Sequence, residues 1–522
     1  MLANYKPKTE PFAHQWKALE ASVKKVSFAL FMEQGTGKTK VVLDTASYLY
    51  QKGLIDGLLV LAPNGVDEQW INRQVPAHVP DGIRIRAACW SVDRQSMVKA
   101  AMTLSAVRVE GCLAILTMNH DAVSTSRGYD CAERFLTTYR TLMVVDESHA
   151  IMTPSATRTK ATIALGKLAK ARRILTGTPE STGPFNLYSQ FQFLDTKILN
   201  QPSFIAFKHR YGVFTTNHSW RITPSGEQKS FKYETLQHYK NVNELYDKVS
   251  PYTFSVKKAD CLDLPPKMYS VLYAPLSKEQ RSIYDAVKRT GIALLESHTE
   301  GSPVQLMNTE LADHQQLLDA ATSPGNKVTL GIKLTTMLRC QQVVGGFVTD
   351  DSGIIRPIDG SIEKCPRMQM FLSHCAASEG KVIIWALFKP ELEAIVRLLN
   401  KEIGPAVGVY GGVSPKIREE SIDRFRNGDA RFFVSHTLAC GTGLDLPMAR
   451  SMIYYSTGPS YIQRAQSEDR AHRIGLAGTL SIYDMRADGV PVDQTVADIL
   501  SARTDGAKVL LGWNSKEMEV RL

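Results

Sequence analysis

The clearest chemical pattern in the chain is the pentapeptide Gly35-Thr36-Gly37-Lys38-Thr39. It lies between a short apolar run and a segment of helical periodicity, the strand–loop–helix setting in which glycine-rich loops bind phosphate. Glycines let backbone N–H groups approach phosphate oxygens, while the lysine contacts the β- and γ-phosphates and the threonine hydroxyl ligates Mg²⁺. The pattern predicts a nucleotide phosphate site; a glycine-rich turn with a solvated lysine is the alternative. Met32 stands where the strict pattern has its first glycine, and Gly35 can supply the flexibility instead.

Two adjacent acids end a second apolar run, in the segment LMVVDESHA. Asp146 would hold Mg²⁺ through water, and Glu147 would orient and deprotonate an attacking water. Two carboxylates at the end of a buried strand are costly unless a cation or hydrogen bonds compensate. A pair that merely caps the next helix is the alternative, which the upstream glycine loop disfavours.

Apolar runs of strand length, separated by helical patterns, surround these residues. In the first part they cover 28–32, 58–62, 113–117, 142–146 and 174–176, and after about residue 365 they cover 382–388, 407–410, 432–435, 452–455 and 480–484. Helices are expected from about Thr39 to Gln51, with Gly53 as its stop, and from the N-cap Ser414 to Asn427. Buried strands alternating with helices predict an α/β fold with two parallel-sheet lobes.

The middle of the chain has a different composition. Residues 201–254 contain eleven aromatic residues, with seven Lys/Arg against four Asp/Glu, and residues 290–330 are richer in Ser, Thr, Gly and Asn. We interpret both stretches as insertions, which gives a first lobe over 1–200, insertions and a linker over 201–330, and a second lobe over 331–522. Aromatic and basic residues in 201–254 either build a small core of their own or contact nucleic acid or a protein partner.

Composition excludes several classes of protein. The 522 residues are 43% hydrophobic and 22% charged, which is ordinary for globular chains and excludes disordered or fibrous ones. The net charge of +10 suits a polyanionic partner.

The eight cysteines form no C-x-x-C pair, so neither a zinc site nor a disulfide framework is indicated. With no apolar leader and no long apolar run, we expect a cytoplasmic protein of a bacterial or virus-infected bacterial cell, without membrane contact.

Several segments together resemble the Snf-type branch of helicase superfamily two, a group of double-stranded DNA translocases. The phosphate loop and DESH segment are followed by LTGTP (175–179) and NLYSQFQFLD (186–195). Later come YTFSVKKADCLDLPPKMY (252–269), SHTLACGTGLDLPMARSMIYY (435–455) and QRAQSEDRAHRIG (463–475). The last of these segments is long, and its residue pattern is specific to this branch. The resemblance extends from about residue 10 to 485 and implies two RecA-like lobes with ATP in the cleft between them.

The resemblance also implies roles for individual residues around ATP and Mg²⁺. Gln15 would read adenine, Gly35, Thr36, Gly37 and Lys38 would hold the phosphates, and Thr39 and Asp146 would hold the metal. Glu147 keeps the role of general base. Gln466, Arg470 and Arg473 match the last motif, and the two arginines would act as fingers on the transferring phosphoryl group. A surface ion pair with Asp469 is the alternative for Arg473, and His149 would couple the ATP site to other elements or be a plain core histidine.

In the same family, loops at strand ends touch the DNA backbone without reading bases. By position the residues concerned are Asn64, Thr117, Asn119, Gly411, Gly412, Thr437 and Gly443. Ordinary turn chemistry is the alternative for each. Trp70 and Trp385 lie in apolar settings, and we interpret both as core residues.

The preferred hypothesis is a monomeric ATP-dependent translocase on duplex or branched DNA, with low sequence specificity and salt-sensitive binding. A strand-separating helicase is the alternative within the same class. A nucleotide-dependent DNA-binding switch without processive movement is the alternative from another class.

Overall fold

The structure is a computed structural model that describes residues 5–92, 94–180, 183–222, 228–299, 324–349, 353–437, 444–502 and 520–521. The chain divides into two units. The first comprises Met1–Thr215 and Glu234–Asp263, and the second comprises Thr216–Tyr233 and Leu264–Leu522.

Seven strands form the sheet of the first unit, and their pairings are all parallel. The strands up to Asp263 are β1 (Ser27–Met32), β2 (Gly57–Ala62), β3 (Ile85–Cys89), β4 (Leu113–Asn119), β5 (Thr141–Asp146), β6 (Ala171–Leu175), β7 (Gly212–Ile222), β8 (Gln228–Tyr239) and β9 (Thr253–Val256). The sheet order is β3-β4-β2-β5-β6-β1-β9, while β7 and β8 form a separate two-stranded sheet. Because parallel strands end at one edge of a sheet, the segments that follow β1, β2, β4, β5 and β6 share that edge.

Burial on both faces explains why these strands have continuous apolar sequences. In β5, Leu142 and Val144 belong to one core cluster, whereas Met143 and Val145 belong to a cluster on the opposite face. All four side chains are fully buried.

Helices cover both faces of this sheet. They are α1 (Ala13–Ser22), α2 (Lys38–Gln51), α3 (Val66–Gln69), α4 (Val75–His78), α5 (Gln95–Ala106), α6 (Ser126–Thr138), α7 (Thr157–Gly166), α8 (Leu187–Leu194), α9 (Thr196–Leu199), α10 (Phe204–Tyr211), α11 (Val242–Val249) and α12 (Lys258–Cys261). A π-helical turn, Trp70–Gln74, joins α3 to α4. Single 3₁₀ turns cover Ala122–Ser124, Ser148–Ile151, Pro184–Asn186 and Ser250–Tyr252.

The second unit has a six-stranded sheet of its own, again with parallel pairings. Its strands are β10 (Lys267–Ala274), β13 (Lys381–Trp385), β14 (Ala406–Val409), β15 (Phe432–Ser435), β16 (Ala449–Tyr454) and β17 (Leu480–Ala487), in the order β10-β17-β16-β13-β15-β14. The short strands β11 (Phe347–Thr349) and β12 (Ile355–Pro357) pair antiparallel. The predicted α/β class with two parallel-sheet lobes is therefore confirmed.

The described helices of the second unit follow the same alternation. They are α13 (Lys278–Thr299), α14 (Pro324–Val344), α15 (Pro366–Ala377), α16 (Lys389–Glu402), α17 (Pro415–Arg426), α18 (Tyr461–Glu468) and α19 (Val492–Ser501), with a 3₁₀ turn at Ile362–Lys364. The start of α17 is as the sequence predicts: Ser414 is the N-cap and its hydroxyl accepts the Ile417 N–H at 3.4 Å, with Pro415 at the first helical position. No helix in the described ranges is long and apolar enough to cross a membrane.

The aromatic residues of 201–254 do not build a core of their own where their side chains are described. Phe207 and Tyr211 on α10 are fully buried in the main core of the first unit. The ring of Phe207 lies 5.1 Å from that of Tyr188 on α8, and Phe214 stacks on Phe185 at 6.1 Å. These rings extend the first unit's core, which corrects the expectation of a separate small core. The side chains of Trp220, Phe231 and Tyr233 lie outside the described set.

Candidate functional site

The predicted phosphate loop lies between β1 and α2, as its sequence indicates. Gly35 and Gly37 adopt φ of 80° and 89°, in the left-handed region that favours glycine. At Gly37 a Cβ atom would lie 2.1 Å from Nε2 of Gln15, so both the backbone and the neighbouring side chain require glycine there. Helix α2 begins at Lys38, which gives the loop the free N–H groups of a helix N-terminus.

The lysine and threonine of the loop start the first turn of α2. Lys38 is buried, and its Nζ donates to the carbonyl of Met32 at 2.9 Å and to that of Glu33 at 3.4 Å. Thr39 is half-buried. Met32, which replaces the first glycine of the strict pattern, is the last residue of β1, so this position needs no glycine flexibility.

Helix α1 is attached to the phosphate loop by two side chains. Nε2 of Gln15 donates to the carbonyl of Thr36 at 3.1 Å, and Oε1 of Gln15 accepts the Phe12 N–H at 3.0 Å. Nε2 of His14 also lies 2.8 Å from the Thr36 carbonyl. Gln15 was predicted from the sequence and His14 was not, although the two are adjacent and both are buried.

The acid pair ends β5 at the same edge of the sheet. Burial and the neighbouring charge of Glu147 together raise the pKa of Asp146 to about 6, although the charge of Lys38 acts to lower it. Oδ1 of Asp146 accepts the Glu147 N–H at 3.0 Å, and Oδ2 accepts the indole N–H of Trp70 at 3.0 Å. Trp70 was predicted only as a core residue; a bond between residues 76 positions apart leaves no signal in the sequence.

Glu147 is held in an unusual backbone conformation. Its φ is 48°, a left-handed value that few non-glycine residues adopt and that often marks functional sites. Oε1 accepts from Nε2 of Gln34 at 3.2 Å, and Oε2 lies 3.3 Å from Nδ1 of His149. The carboxylate is therefore fixed by one side chain from the phosphate loop and one from the turn after β5.

This donor set fits Mg²⁺. The threonine hydroxyl and the aspartate carboxylate are hard oxygen ligands of the kind that Mg²⁺ prefers. Two buried acids side by side carry two negative charges when ionised, against the single positive charge of Lys38. A divalent cation at Thr39 and Asp146 would balance that charge.

Two further elements are tied to the acid pair. Nδ1 of His149 lies 3.4 Å from the hydroxyl of Thr176, in the LTGTP segment after β6. The hydroxyl of Ser148 donates to Oε1 of Gln190 on α8 at 2.7 Å, and Nε2 of Gln190 donates to the Pro179 carbonyl at 2.8 Å. The turn after β5, the LTGTP segment and α8 thus form one hydrogen-bonded set.

The predicted arginine fingers lie at and after the end of α18 in the second unit. Gln466 is half-buried on α18, and the side chain of Arg470 is buried. Arg473 forms an ion pair with Asp445, not with Asp469 as the alternative supposed. The reason is that α18 ends at Glu468, so Asp469 and Arg473 do not follow helical spacing.

Arg464, in the same motif, was not predicted from the sequence as a functional residue. Its buried guanidinium pairs with Glu468 at 2.7 Å and with Asp484 at 2.5 Å, and it lies over the ring of Tyr454 at 3.5 Å. These contacts join α18 to the sheet of the second unit.

The predicted DNA-contacting residues differ in how far they are exposed to solvent. Asn64, Gly411 and Gly412 are exposed at strand ends, and Asn119 and Thr437 are half-buried. Thr117 does not fit the prediction, because it is fully buried inside β4 and its hydroxyl does not reach the surface. Gly443 lies outside the described residues.

A phosphate loop at a strand–helix junction, with an Asp-Glu pair at the same sheet edge, defines a P-loop nucleoside triphosphatase. The SNF2-related domain model matches residues 13–321, and the helicase conserved C-terminal domain model matches residues 363–475. The first match spans more than half of the chain, so the chain belongs to the SNF2-related family. It is placed among the ATPases of helicase superfamily two.

Two relatives and one solved structure illustrate the similarity. The chain is 21% identical over 497 residues to a mouse protein, the SWI/SNF-related matrix-associated actin-dependent regulator of chromatin subfamily A containing DEAD/H box 1, covering 88% of this chain and 45% of the relative. It is 26% identical over 399 residues to the TATA-binding protein-associated factor mot1 of Aspergillus fumigatus, covering 70% of this chain and 20% of the relative. The SWI2/SNF2 ATPase core of Sulfolobus solfataricus, solved in complex with dsDNA, is similar with a TM-score of 0.40 and 20% identity, covering 99% of this chain and 98% of that one. The chain spans at most about half the length of these two curated relatives.

Proposed function

We propose that this chain hydrolyses ATP and uses the cycle to move along double-stranded DNA, remodelling branched DNA or displacing bound proteins. The observation that carries the proposal is the arrangement at the carboxyl edge of the first sheet. There a buried Asp-Glu pair lies within the electrostatic reach of Lys38, beside a glycine loop that Gln15 and His14 hold in place. Membership of the SNF2-related family points to DNA as the partner.

Each candidate site residue of the first unit has a distinct task in this proposal. Gln15 reads the adenine, and the loop Gly35–Thr39 holds the phosphates through its backbone N–H groups and Lys38. Mg²⁺ on Thr39 and Asp146 would neutralise charge on the phosphate oxygens. Glu147 orients the attacking water and takes its proton, and Gln34 and His149 keep its carboxylate in one position.

In this proposal, residues of the last motif would supply permanent positive charge. Gln466 would contact the nucleotide, and Arg470 and Arg473 would stabilise the charge that spreads over the transferring phosphoryl group. Arg473 must exchange its partner Asp445 for phosphate oxygens in order to do so. Completion of the site by this exchange would link hydrolysis to alternating DNA affinity.

DNA is proposed to lie along loops at the strand ends of both units. The loops carry Asn64, Asn119, Gly411, Gly412 and Thr437, all at least partly accessible to solvent. Backbone amides and small polar side chains of this kind fix a phosphate backbone without reading sequence.

The deciding experiment measures steady-state ATP hydrolysis alone and with single-stranded DNA, duplex DNA, a four-way junction or RNA. Glu147→Gln is the control variant, because it removes the proposed base but keeps the shape of the side chain. Strong stimulation by duplex or junction DNA, lost in the variant, is the expected result. A triplex-displacement assay on duplex DNA then tests for movement.

Three other outcomes would change the conclusion. Stimulation by single strands alone would favour a strand-separating helicase. Stimulation by duplex DNA without triplex displacement would favour a nucleotide-dependent binding switch. A rate that no nucleic acid changes, or that Glu147→Gln leaves intact, would overturn the proposal.

A further inference from the structure

The indole of Trp70 lies outside the loop and acid motifs, yet it is hydrogen-bonded to the carboxylate of Asp146, a proposed metal ligand. Trp70 is 1% exposed, and its ring belongs to the core cluster that also contains Leu142 and Val144 of β5. Its Nε1–H donates to Oδ2 of Asp146 at 3.0 Å, two residues beyond Val144 on the same strand. The ring is therefore packed as a core residue, while its polar atom reaches the edge of the sheet.

The other fully buried tryptophans show that this bond is not a general consequence of burial. Trp90 and Trp385 are 2% and 0% exposed, and the indole nitrogen of each is buried without a hydrogen-bond partner in the described part of the chain. A buried N–H normally costs free energy unless it is paired. Of these three buried indoles, that of Trp70 alone is used as a donor.

The segment that carries Trp70 is itself held firmly. Trp70 opens the π-helical turn between α3 and α4, and its carbonyl accepts the N–H of Val75. Upstream, Oδ1 of the buried Asp67 accepts the N–H groups of Gly65 at 2.9 Å and Glu68 at 3.1 Å. π-helical turns in α-helices are often found at functional sites. The backbone that carries the indole is therefore held in place by these hydrogen bonds.

The carboxylate of Asp146 is oriented from two sides. Oδ2 accepts from the indole, and Oδ1 accepts from the backbone N–H of Glu147. Donors to a metal-ligating carboxylate fix its orientation, and their loss commonly lowers metal affinity or activity by about 10- to 100-fold. A hydrogen bond to a charged oxygen is also stronger than one between neutral groups.

We infer that Trp70 is a positioning residue, whose indole N–H sets the orientation of the Asp146 carboxylate for Mg²⁺-nucleotide. The inference rests on the proposed function for the identity of the bound group. It does not require that Trp70 touch ATP, Mg²⁺ or water.

The first test examines the hydrogen bond without nucleotide or DNA. The full chain, with its six tryptophans, is labelled with ¹⁵N at the indole nitrogens, and Trp70→Phe identifies the Trp70 signal. In Asp146→Asn, the Trp70 indole signal is expected to shift, whereas those of Trp90 and Trp385 stay in place. If Trp70→Phe fails to fold, the Trp70 signal is identified by elimination, from Trp→Phe variants of the other five tryptophans. A Trp70 signal that does not respond to Asp146→Asn would overturn the inference.

The second test measures the Mg²⁺ dependence of binding. Trp70→Phe keeps most of the aromatic volume but removes the donor, and Trp90→Phe is the matched control because its indole donates to nothing in the described structure. The Mg²⁺ concentration that half-saturates binding of a fluorescent ADP analogue is expected to rise about tenfold in Trp70→Phe and to stay within about twofold in Trp90→Phe. Metal-free nucleotide affinity should be equal in both.

The outcomes separate this inference from the proposed function. Equal Mg²⁺ dependence in the two variants, or an equal loss in both, would show that Trp70 acts only through packing and would overturn the inference. A wild-type chain that hydrolyses no ATP would contradict the proposed function while leaving the indole–carboxylate result intact.

Discussion

At the residue scale, the tightest steric constraint in the candidate site is at Gly37. Gly37→Ala would place a methyl group 2.1 Å from Nε2 of Gln15 and would also force alanine to adopt a φ of 89°. We expect ATP affinity to fall at least about tenfold, since either the loop or Gln15 must move away from its position. The dissociation constant of a fluorescent ATP analogue measures the effect.

Gly53→Ala is the matched control for this prediction. Gly53 also has a left-handed φ, of 66°, but a Cβ there meets nothing within 4 Å. Gly53→Ala should lower the free energy of unfolding by about 1 kcal/mol through backbone strain and leave nucleotide affinity unchanged. Equal losses of affinity in both variants would show that strain alone, and not the approach of Gln15, determines the requirement for glycine.

Because of the buried carboxyl of Glu391, we expect the stability of the second unit to depend on pH. It is fully buried, and burial raises the pKa of its carboxyl to about 7, although Ser456 donates to Oε2. A carboxyl whose pKa is higher in the folded than in the unfolded chain binds more protons when folded. Its stabilising contribution is therefore complete below about pH 4.3, the unfolded value, and is lost as the pH rises through about 7.

Glu391→Gln isolates that contribution, because the amide resembles the protonated acid. Between pH 5.5 and 8.5, the unfolding temperature of the variant relative to wild type should rise with pH. Glu363→Gln serves as the control, since Glu363 is partly exposed and pairs with Arg397 at the surface. A relative unfolding temperature that stays constant across the range would contradict the assignment to Glu391.

At the element scale, the end of α1 is anchored by a buried arginine. Arg173 on β6 is 0% exposed, and its guanidinium donates to the carbonyls of Ser22 at 2.7 Å, Lys25 at 2.9 Å and Val26 at 3.1 Å. Burial lowers its pKa to about 9. These carbonyls lie at and just after the C-terminus of α1, where a positive charge is favourable.

Arg173→Met should leave these three carbonyls, and that of Arg172 at 2.8 Å, without this donor and lower the free energy of unfolding by about 3 kcal/mol. Because α1 carries Gln15, ATP affinity should fall as well. Arg172→Met is the comparison, since Arg172 is half-buried and its guanidinium donates to the Phe193 carbonyl at the long distance of 3.5 Å. Denaturant unfolding of both variants measures the difference, and equal losses would refute a special role for Arg173.

In the first sheet, the strands with continuous apolar sequences were predictable, and the two edge strands were not. The strands β1, β2, β4 and β5 lie inside the sheet, so both of their faces demand apolar residues. In contrast, β3 at one edge contains the exposed Arg86, and β9 at the other edge contains the exposed Ser255, so neither has the pattern of a buried strand. Local patterns also located the phosphate loop and acids, whereas the bonds from Trp70 and Arg173 join distant segments and are visible only in the fold.

At the scale of the whole molecule, the net charge of +10 predicts how binding depends on salt. Contacts to a DNA backbone release condensed counterions, so affinity falls steeply as salt is added. The candidate ATP site, in contrast, is built from buried groups such as Lys38 and Asp146, and buried charges are screened far less. The two activities of the proposed motor should therefore differ in their response to salt.

Between 50 and 200 mM KCl, we expect the duplex concentration that half-maximally stimulates ATP hydrolysis to rise by about 10-fold or more. The basal rate without DNA should change by less than about twofold. Duplexes rich in A·T or in G·C should behave alike, because backbone contacts carry no sequence information. A stimulation constant that ignores salt, or that depends on base composition, would mean that the chain recognises DNA through base edges or shape rather than through exposed backbone-binding loops such as those at Asn64 and Gly411.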